Sequence, residues 1–258
     1  MIITYIYHSG FLAETADCYY LFDYYKGELP ALKPEKPILV FASHNHQDHY
    51  NPAVFELLQG RGMQQITAVL AKDIPAKKYP QGIDCIRVSS HQTYELPHKT
   101  RLQTLLSTDA GVAFLIQCPE GTIYHAGDLN DWVWEGESEQ YNRQMTGSYR
   151  HEIDLLKNIL QENSVNTDLT DWCANETNAG KAGILDVAFI PLDPRQEKDY
   201  ANGLLYFLRK IPVKKVYPMH YWGKPETIGK FLAEHPEYKD IIEYTEALRL
   251  PINATLLR

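Results

Sequence analysis

Five apolar residues, Ile38-Leu39-Val40-Phe41-Ala42, run without a break into Ser43-His44-Asn45-His46-Gln47-Asp48-His49. A short uninterrupted apolar run, here opened by Pro37, suits a strand covered on both faces, because an exposed face demands polar residues at alternate positions. The chain therefore needs a sheet with material packed on each side. That strand delivers three of the ten histidines, with an aspartate among them, inside six residues. Imidazoles and a carboxylate gathered on a tight loop are the donors a borderline-soft dication takes. Alternation puts His44 and His46 on one side, while the turn that follows brings Asp48 and His49 round from another. One loop can thus address two adjacent cation positions.

The remaining pattern is mixed α/β. Residues 2–8 and 17–24, rich in Ile, Tyr, Phe and Leu, read as paired strands separated by a polar stretch ending Glu14-Thr15-Ala16-Asp17. Asn51, with Pro52 at the first helical position, opens a helix that stops by Gly60. Strands are expected at Ile66–Leu70, Ile83–Val88, Arg101–Leu106, Val112–Gln117 and Thr122–His125, the last two forming a hairpin across Pro119-Glu120-Gly121. Tyr149, Ile153, Leu156 and Leu160 have helical spacing, and Gln161 to Lys181 reads as a loop. Residues 131–183 accordingly look like an insertion in a single domain spanning 1–258. A strand (Ile184–Ile190), a helix (Tyr200–Lys210), a strand (Val213–Tyr217) leading into Pro218-Met219-His220, and a helix (Glu226–Glu234) complete the alternation.

Composition narrows the partners. Lys and Arg number 25 against 33 Asp and Glu, a formal charge of −8, so the sequence-independent attraction to phosphate backbones or anionic membranes is missing. Neither a nucleic-acid nor a membrane partner is expected; oligomeric state is not encoded in any pattern. Cys18, Cys85, Cys118 and Cys173 form no C-x-x-C pair, which suits reduced thiols in a cytoplasmic protein. No basic segment precedes an apolar stretch at the N-terminus, and no apolar run is long enough to span a bilayer. G-x-S-x-G and G-x-x-x-x-G-K-[ST] are both absent, so serine-hydrolase and phosphate-loop chemistry have no footing.

Three segments together resemble the metallo-β-lactamase superfamily, and within it the branch of ascorbate-6-phosphate lactonase-like hydrolases. They are Ser43 to His49; Ile123-Tyr124-His125-Ala126-Gly127-Asp128, similar to the family strand whose Asp bridges two metals; and Tyr217-Pro218-Met219-His220-Tyr221, similar to its C-terminal ligand segment. The resemblance implies a four-layer αβ/βα sandwich with a metal site on one edge. Carried over position by position, it gives His44, His46 and Asp128 to a first site, and Asp48, His49, Asp128 and His220 to a second. The family's further histidine ahead of the Gly-Asp hairpin is replaced here by Ser107, a poor zinc ligand, so one firmly held ion, or one firm and one weak, is expected. Asp109, His91 and His98 are the nearby substitutes, each reading as a loop residue.

The implied activity is metal-dependent hydrolysis of an ester, lactone or phosphodiester bond in a small molecule. Zinc is the expected ion, with manganese or iron(II) as alternatives, and Asp48 is assigned a second duty of orienting the attacking water and taking its proton. Ser107, Asn130, Trp132, Trp134, Arg195 and Trp222 are candidate substrate contacts because they follow or flank the ligand segments. Arg195 reads first as the partner of Asp193 and second as a clamp for a carboxylate or phosphate. His125 and His8 read as packed residues, His8 in a turn with Ser9 and Gly10. The alternatives are an RNA or nucleotide phosphodiesterase on the same scaffold and a non-catalytic metal- or ligand-binding relative.

Overall fold

The computed structural model describes residues 1–165 and 183–245. The first sheet has six strands in chain order, β1 (Ile2–Tyr7), β2 (Gly10–Glu14), β3 (Tyr19–Phe22), β4 (Ile38–Ala42), β5 (Ile66–Ala71) and β6 (Asp84–Val88). The second runs β12 (Val213–Met219), β11 (Leu185–Pro191), β10 (Gly121–His125), β9 (Val112–Cys118), β8 (Thr100–Leu106) and β7 (Thr93–Leu96). Each is antiparallel at one end and parallel at the other.

β4 is buried along its whole length, as its apolar run demands. Leu39 and Phe41 face the space between the sheets, while Ile38, Val40 and Ala42 face outward under Val54, Phe55 and Leu58 of α1 (Ala53–Gly60). Aromatic rings fill the intersheet space. Phe41 meets Phe114 at 5.3 Å between centroids, Phe11 meets Phe189 at 4.3 Å, and His125 lies flat on Phe22 at 5.0 Å. Large rings bury much apolar area per residue, which suits a core this thin. Tyr149, Ile153, Leu156 and Leu160 on α2 (Glu139–Val165), with Leu204 and Phe207 of α3 (Asn202–Lys210) and Ile228 and Phe231 of α4 (Glu226–Glu234), are buried in the same cluster as the second sheet. The result is the four-layer sandwich.

Two expectations need correction. The N-terminal strands do not pair with each other: β2 lies between β1 and β3, because Phe11, Leu12 and Ala13 bury themselves. Helix α2 continues through 161–165, where a loop was expected; the remainder of that expected loop lies outside the described residues. No described helix is long and apolar enough to cross a membrane.

Strands β1, β3, β4, β8, β10, β11 and β12 end on the same edge, which is where chemistry collects in open α/β sheets. Two glycines let the connections approach there. A side-chain carbon on Gly111 (φ +68°) would stand 1.9 Å from the Ser43 carbonyl oxygen, and one on Gly127 (φ +54°) would stand 2.8 Å from Ser43 Cβ. Both also hold a backbone conformation that L-residues rarely adopt. Gly111→Ala is therefore expected to destabilise the fold by about 2 kcal/mol or more through strain and the clash with β4's end, read as a lowered urea midpoint at unchanged slope.

Candidate metal centre

Strand ends build the site. β1 leads directly into His8 and β3 into Asp23, β4 runs into His44–His49, and β8 into Ser107-Thr108-Asp109; β10, β11 and β12 lead to Asp128, Asp193 and His220. Two donor groups result: His44, His46 and Asp128, and His8, Asp48, His49 and His220, with one candidate ligand atom per residue lying within 4.8 Å of the others in its group. Asp128 stands between them. Its Oδ2 is 3.3 Å from His44 Nε2, and its Oδ1 is 3.1 Å from His49 Nε2 and 3.4 Å from His220 Nε2.

Three imidazoles are aimed by partners on their far nitrogen. His49 Nδ1 donates to Asp23 Oδ2 at 2.8 Å and His220 Nδ1 to Asp193 Oδ2 at 2.9 Å. Ser43 Oγ donates to Asp23 Oδ2 at 2.7 Å, leaving its lone pair for His44 Nδ1–H at 2.9 Å. A proton fixed on Nδ1 leaves the Nε2 lone pair facing inward, the arrangement that histidine ligands of metals adopt. The Nε2 atoms of His8, His44 and His49 and Oδ1 of Asp128 are buried and make no hydrogen bond, although they stand close to one another. Orphaned polar atoms in an interior are costly unless something binds them, and this set of imidazole nitrogens and carboxylate oxygens fits divalent cations.

Electrostatics agree. Burial alone would raise the Asp128 pKa, but His49 and His220 outweigh it and hold the carboxylate well below its usual range. Asp48 is likewise lowered, with His8 and His49 overcoming desolvation. Burial pulls His8 down to about 4 despite Asp48 at 3.3 Å, so its ring is neutral and ready to donate a lone pair. His49 goes the other way: Asp128 and Asp23 flank both nitrogens and raise its pKa well above normal against the effect of burial.

His8 was expected to be merely packed. It joins the second group because the β1–β2 turn, at φ 57°, points its ring into the site. A histidine capping an apolar strand just before Ser9-Gly10 was the only signal for it in sequence. Asp23 had none, being one acidic residue among several. His125 is packed as expected: its Nε2 donates to the Ser9 carbonyl at 2.9 Å and its Nδ1 accepts from Gly127 N–H.

A cavity of about 240 Å³ opens over the cluster, with Trp132, Trp134, Arg195 and Trp222 in its wall, joined by Thr108, Asp109, Tyr141 and Met145. Ser107 and Asn130 are not on that wall. Ser107 is buried in a tight turn, its Oγ accepting from Asp109 N–H at 3.2 Å, and Asn130 is spent on a latch, its Nδ2 donating to Gln196 Oε1 at 2.9 Å. Of the substitutes for the missing histidine, Asp109 comes nearest, with Oδ2 3.8 Å from His46 Nδ1. His91 instead pairs with Glu152.

A family model for the β-lactamase superfamily domain matches residues 2–143, more than half of the 258. The chain belongs to the metallo-β-lactamase superfamily. No curated protein matches it in sequence. Among solved structures, it is similar to a metallo hydrolase from the hyperthermophilic archaeon Ignicoccus hospitalis, at 15% identity and TM-score 0.59 with 93% of both chains covered. An isothiocyanate hydrolase from Delia radicum gut bacteria matches at 14% and 0.51, covering 94% of this chain and 96% of that one. A diiron β-hydroxylase from Streptomyces venezuelae matches at 14% and 0.52, covering 96% of this chain and 52% of that one. At these identities the likenesses establish the shared fold.

Two measurements test the centre. Asp23→Asn keeps the shape but weakens the acceptor that fixes His49, so affinity for Zn²⁺ should fall about 10- to 100-fold with the fold intact, as read by chelator competition. A cation at His49 Nε2 must displace a proton that Asp128 and Asp23 hold tightly. Apparent affinity should therefore climb as pH rises, by up to about tenfold per unit, and level off above the raised His49 pKa; a flat profile between about pH 5 and 8 contradicts the assignment.

Proposed function

We propose that this protein is a metal-dependent hydrolase that uses an activated water to cleave an ester, lactone or phosphodiester bond in a small molecule, related to the ascorbate-6-phosphate lactonase-like hydrolases. The observation that carries the reading is the convergence of buried, unpartnered Nε2 and Oδ atoms on Asp128 at the floor of an open cavity. His8, Asp48, His49 and His220 would hold one dication, His44, His46 and Asp128 a second, with Asp128 shared. Zinc suits the set, and manganese or iron(II) are the alternatives. A bound dication supplies a lower pKa for coordinated water, from about 16 toward 7, and polarises a carbonyl or phosphoryl oxygen.

The side chains do the rest. Asp48 lines the cavity and stays ionised, so it orients a water by accepting its hydrogen bond. Its depressed pKa makes it a brief holder of that water's proton, which passes on to the leaving group or to solvent. Ser43, Asp23 and Asp193 hold the far nitrogens of His44, His49 and His220, so each Nε2 stays turned toward the cation position, that of His49 becoming a lone-pair donor once its proton has left. Trp132 and Trp222 pack edge-on against His220, with centroids 5.5 and 5.4 Å away.

The two positions differ in enclosure. His8, His49 and His220 are buried, whereas His46 is 53% exposed and its neighbour Asp109 52%. The enclosed group is the stronger holder, in keeping with Ser107 standing where a further histidine is usual. The −8 charge and the cavity, below the roughly 300–1,000 Å³ of common small-molecule sites, favour a small substrate over a nucleic acid.

Asp128→Asn and His49→Ala should lose bound metal and hydrolysis together, each by at least about a hundredfold, more than removing a partner that only orients a ligand. His46→Ala should lose only the weaker ion. Metal analysis after gel filtration, with a panel of lactones, esters, thioesters, phosphodiesters and RNA, reads both. Full activity in Asp128→Asn, or activity that survives a chelator, sinks the reading.

A further inference from the structure

Arg195 is the only Lys or Arg in the cavity wall among the described residues, and it shares that wall with Asp48, Asp109 and Asp128. Its guanidinium is clamped. Nε donates to both oxygens of Asp193 at 3.0 and 2.9 Å, and Nη2 donates to Oδ2 at 2.5 Å. Its plane sits 4.3 Å from the Trp222 ring and 5.8 Å from that of Trp134. Nη1 makes no hydrogen bond among the described residues, and the side chain is 47% exposed while Asp193 is fully buried.

A structural ion pair accounts for only half of this. Asp193 also accepts from His220 Nδ1 at 2.9 Å, from Trp222 Nε1 at 3.1 Å and from the Arg195 backbone N–H at 2.9 Å, so its charge is spread over several donors. The guanidinium edge away from Asp193 is then left in the cavity, rigid before any ligand arrives. A planar fork held in advance loses little freedom on taking an oxyanion. The wall it shares is aromatic: Trp132 and Trp134 are parallel with centroids 5.8 Å apart, and Trp132 is 5.5 Å from His220.

We propose that Arg195 is an oxyanion-recognising subsite, and that the substrate is a small molecule with a flat or apolar body carrying a carboxylate or phosphate at the end remote from the bond that is cut. The body lies along Trp132, Trp134 and Trp222, and the scissile bond reaches the cluster. Among the described residues Arg195 is the one Lys or Arg side chain of that wall, which draws the anionic group to its end. The inference rests on the hydrolase reading for the scissile end only.

The test uses the full chain loaded with Zn²⁺ and three probes that cannot be hydrolysed under the assay: benzoate, phenylphosphonate and benzamide. Calorimetry should show benzoate or phenylphosphonate binding about tenfold or more tightly than neutral benzamide, the gain expected of a hydrogen bond to a charged group. The tighter of the two anions identifies the class. Arg195→Met should bring the preference to about twofold or less at unchanged zinc content; a preference that survives places the anion elsewhere and overturns the proposal, as does no preference in the native protein. Because Arg195→Met removes donors from Asp193, which also holds His220, the native protein supplies an independent reading. Its guanidinium ¹⁵N–¹H signals, identified by their loss in Arg195→Lys, should shift with the preferred anion and not with benzamide, and unshifted signals overturn the proposal. A protein that binds the anion through Arg195 yet hydrolyses nothing in the substrate panel refutes the hydrolase reading alone.

Discussion

Three carboxylates, Asp23, Asp128 and Asp193, are buried at one edge of the sandwich, and a buried charge is tolerated only when paired and hydrogen-bonded. Each is met by an imidazole: Asp23 by His49, Asp128 by His44, His49 and His220, and Asp193 by His220. The pairings form one connected network, since His49 links Asp23 to Asp128 and His220 links Asp128 to Asp193. Moving any one ring exposes a charge at the next, which fixes the geometry of the whole edge without help from the loops' own stiffness. The same network turns the Nε2 lone pairs inward.

The edge is held under backbone strain. Among the described residues, four of the eight non-glycine positions with positive φ, His8, Asp23, His220 and Trp222, belong to this site. Strained conformations persist where packing and hydrogen bonds over-determine them, and here the aromatic layer between the sheets supplies the rigidity. Cross-links between the sheets add to it, such as Val112 N–H to the Ser43 carbonyl at 3.0 Å. Thr108 Oγ1 similarly ties the loop bearing Asp109 to Asn130, accepting from its N–H at 3.0 Å and donating to its carbonyl at 2.6 Å. The cavity side of the centre is thus anchored by Asn130, Ser43 and Val112, which do not line the cavity, and by Thr108, which does.

Asp193 joins two tasks. One of its oxygens accepts from His220, in the candidate cation group, and from Arg195, in the cavity wall. His220 and Arg195 are thereby tied to one and the same carboxylate. On a fold that serves several chemistries, the side chains at this edge, rather than the sandwich itself, distinguish one member from another.

The two-faced burial of β4, the β9–β10 hairpin, the helix opened by Asn51 and Pro52, and the nearness of His44, His46, Asp48 and His49 were legible locally, because each depends on residues a few positions apart. Resemblance extended this to Asp128 and His220. His8, Asp23 and the pairing of Asp193 with His220 were decided by tertiary structure alone: they sit at the ends of β1, β3 and β11, and only the strand order of the two sheets brings those ends together. The strand β2 escaped notice because its apolar residues follow the Ser9-Gly10 turn directly, leaving too little polar punctuation. Ser107 and Asn130 lie next to the right residues in sequence yet turn away from the cavity, because a side chain's neighbours along the chain do not set the direction in which a tight turn or a buried amide must find its hydrogen bonds.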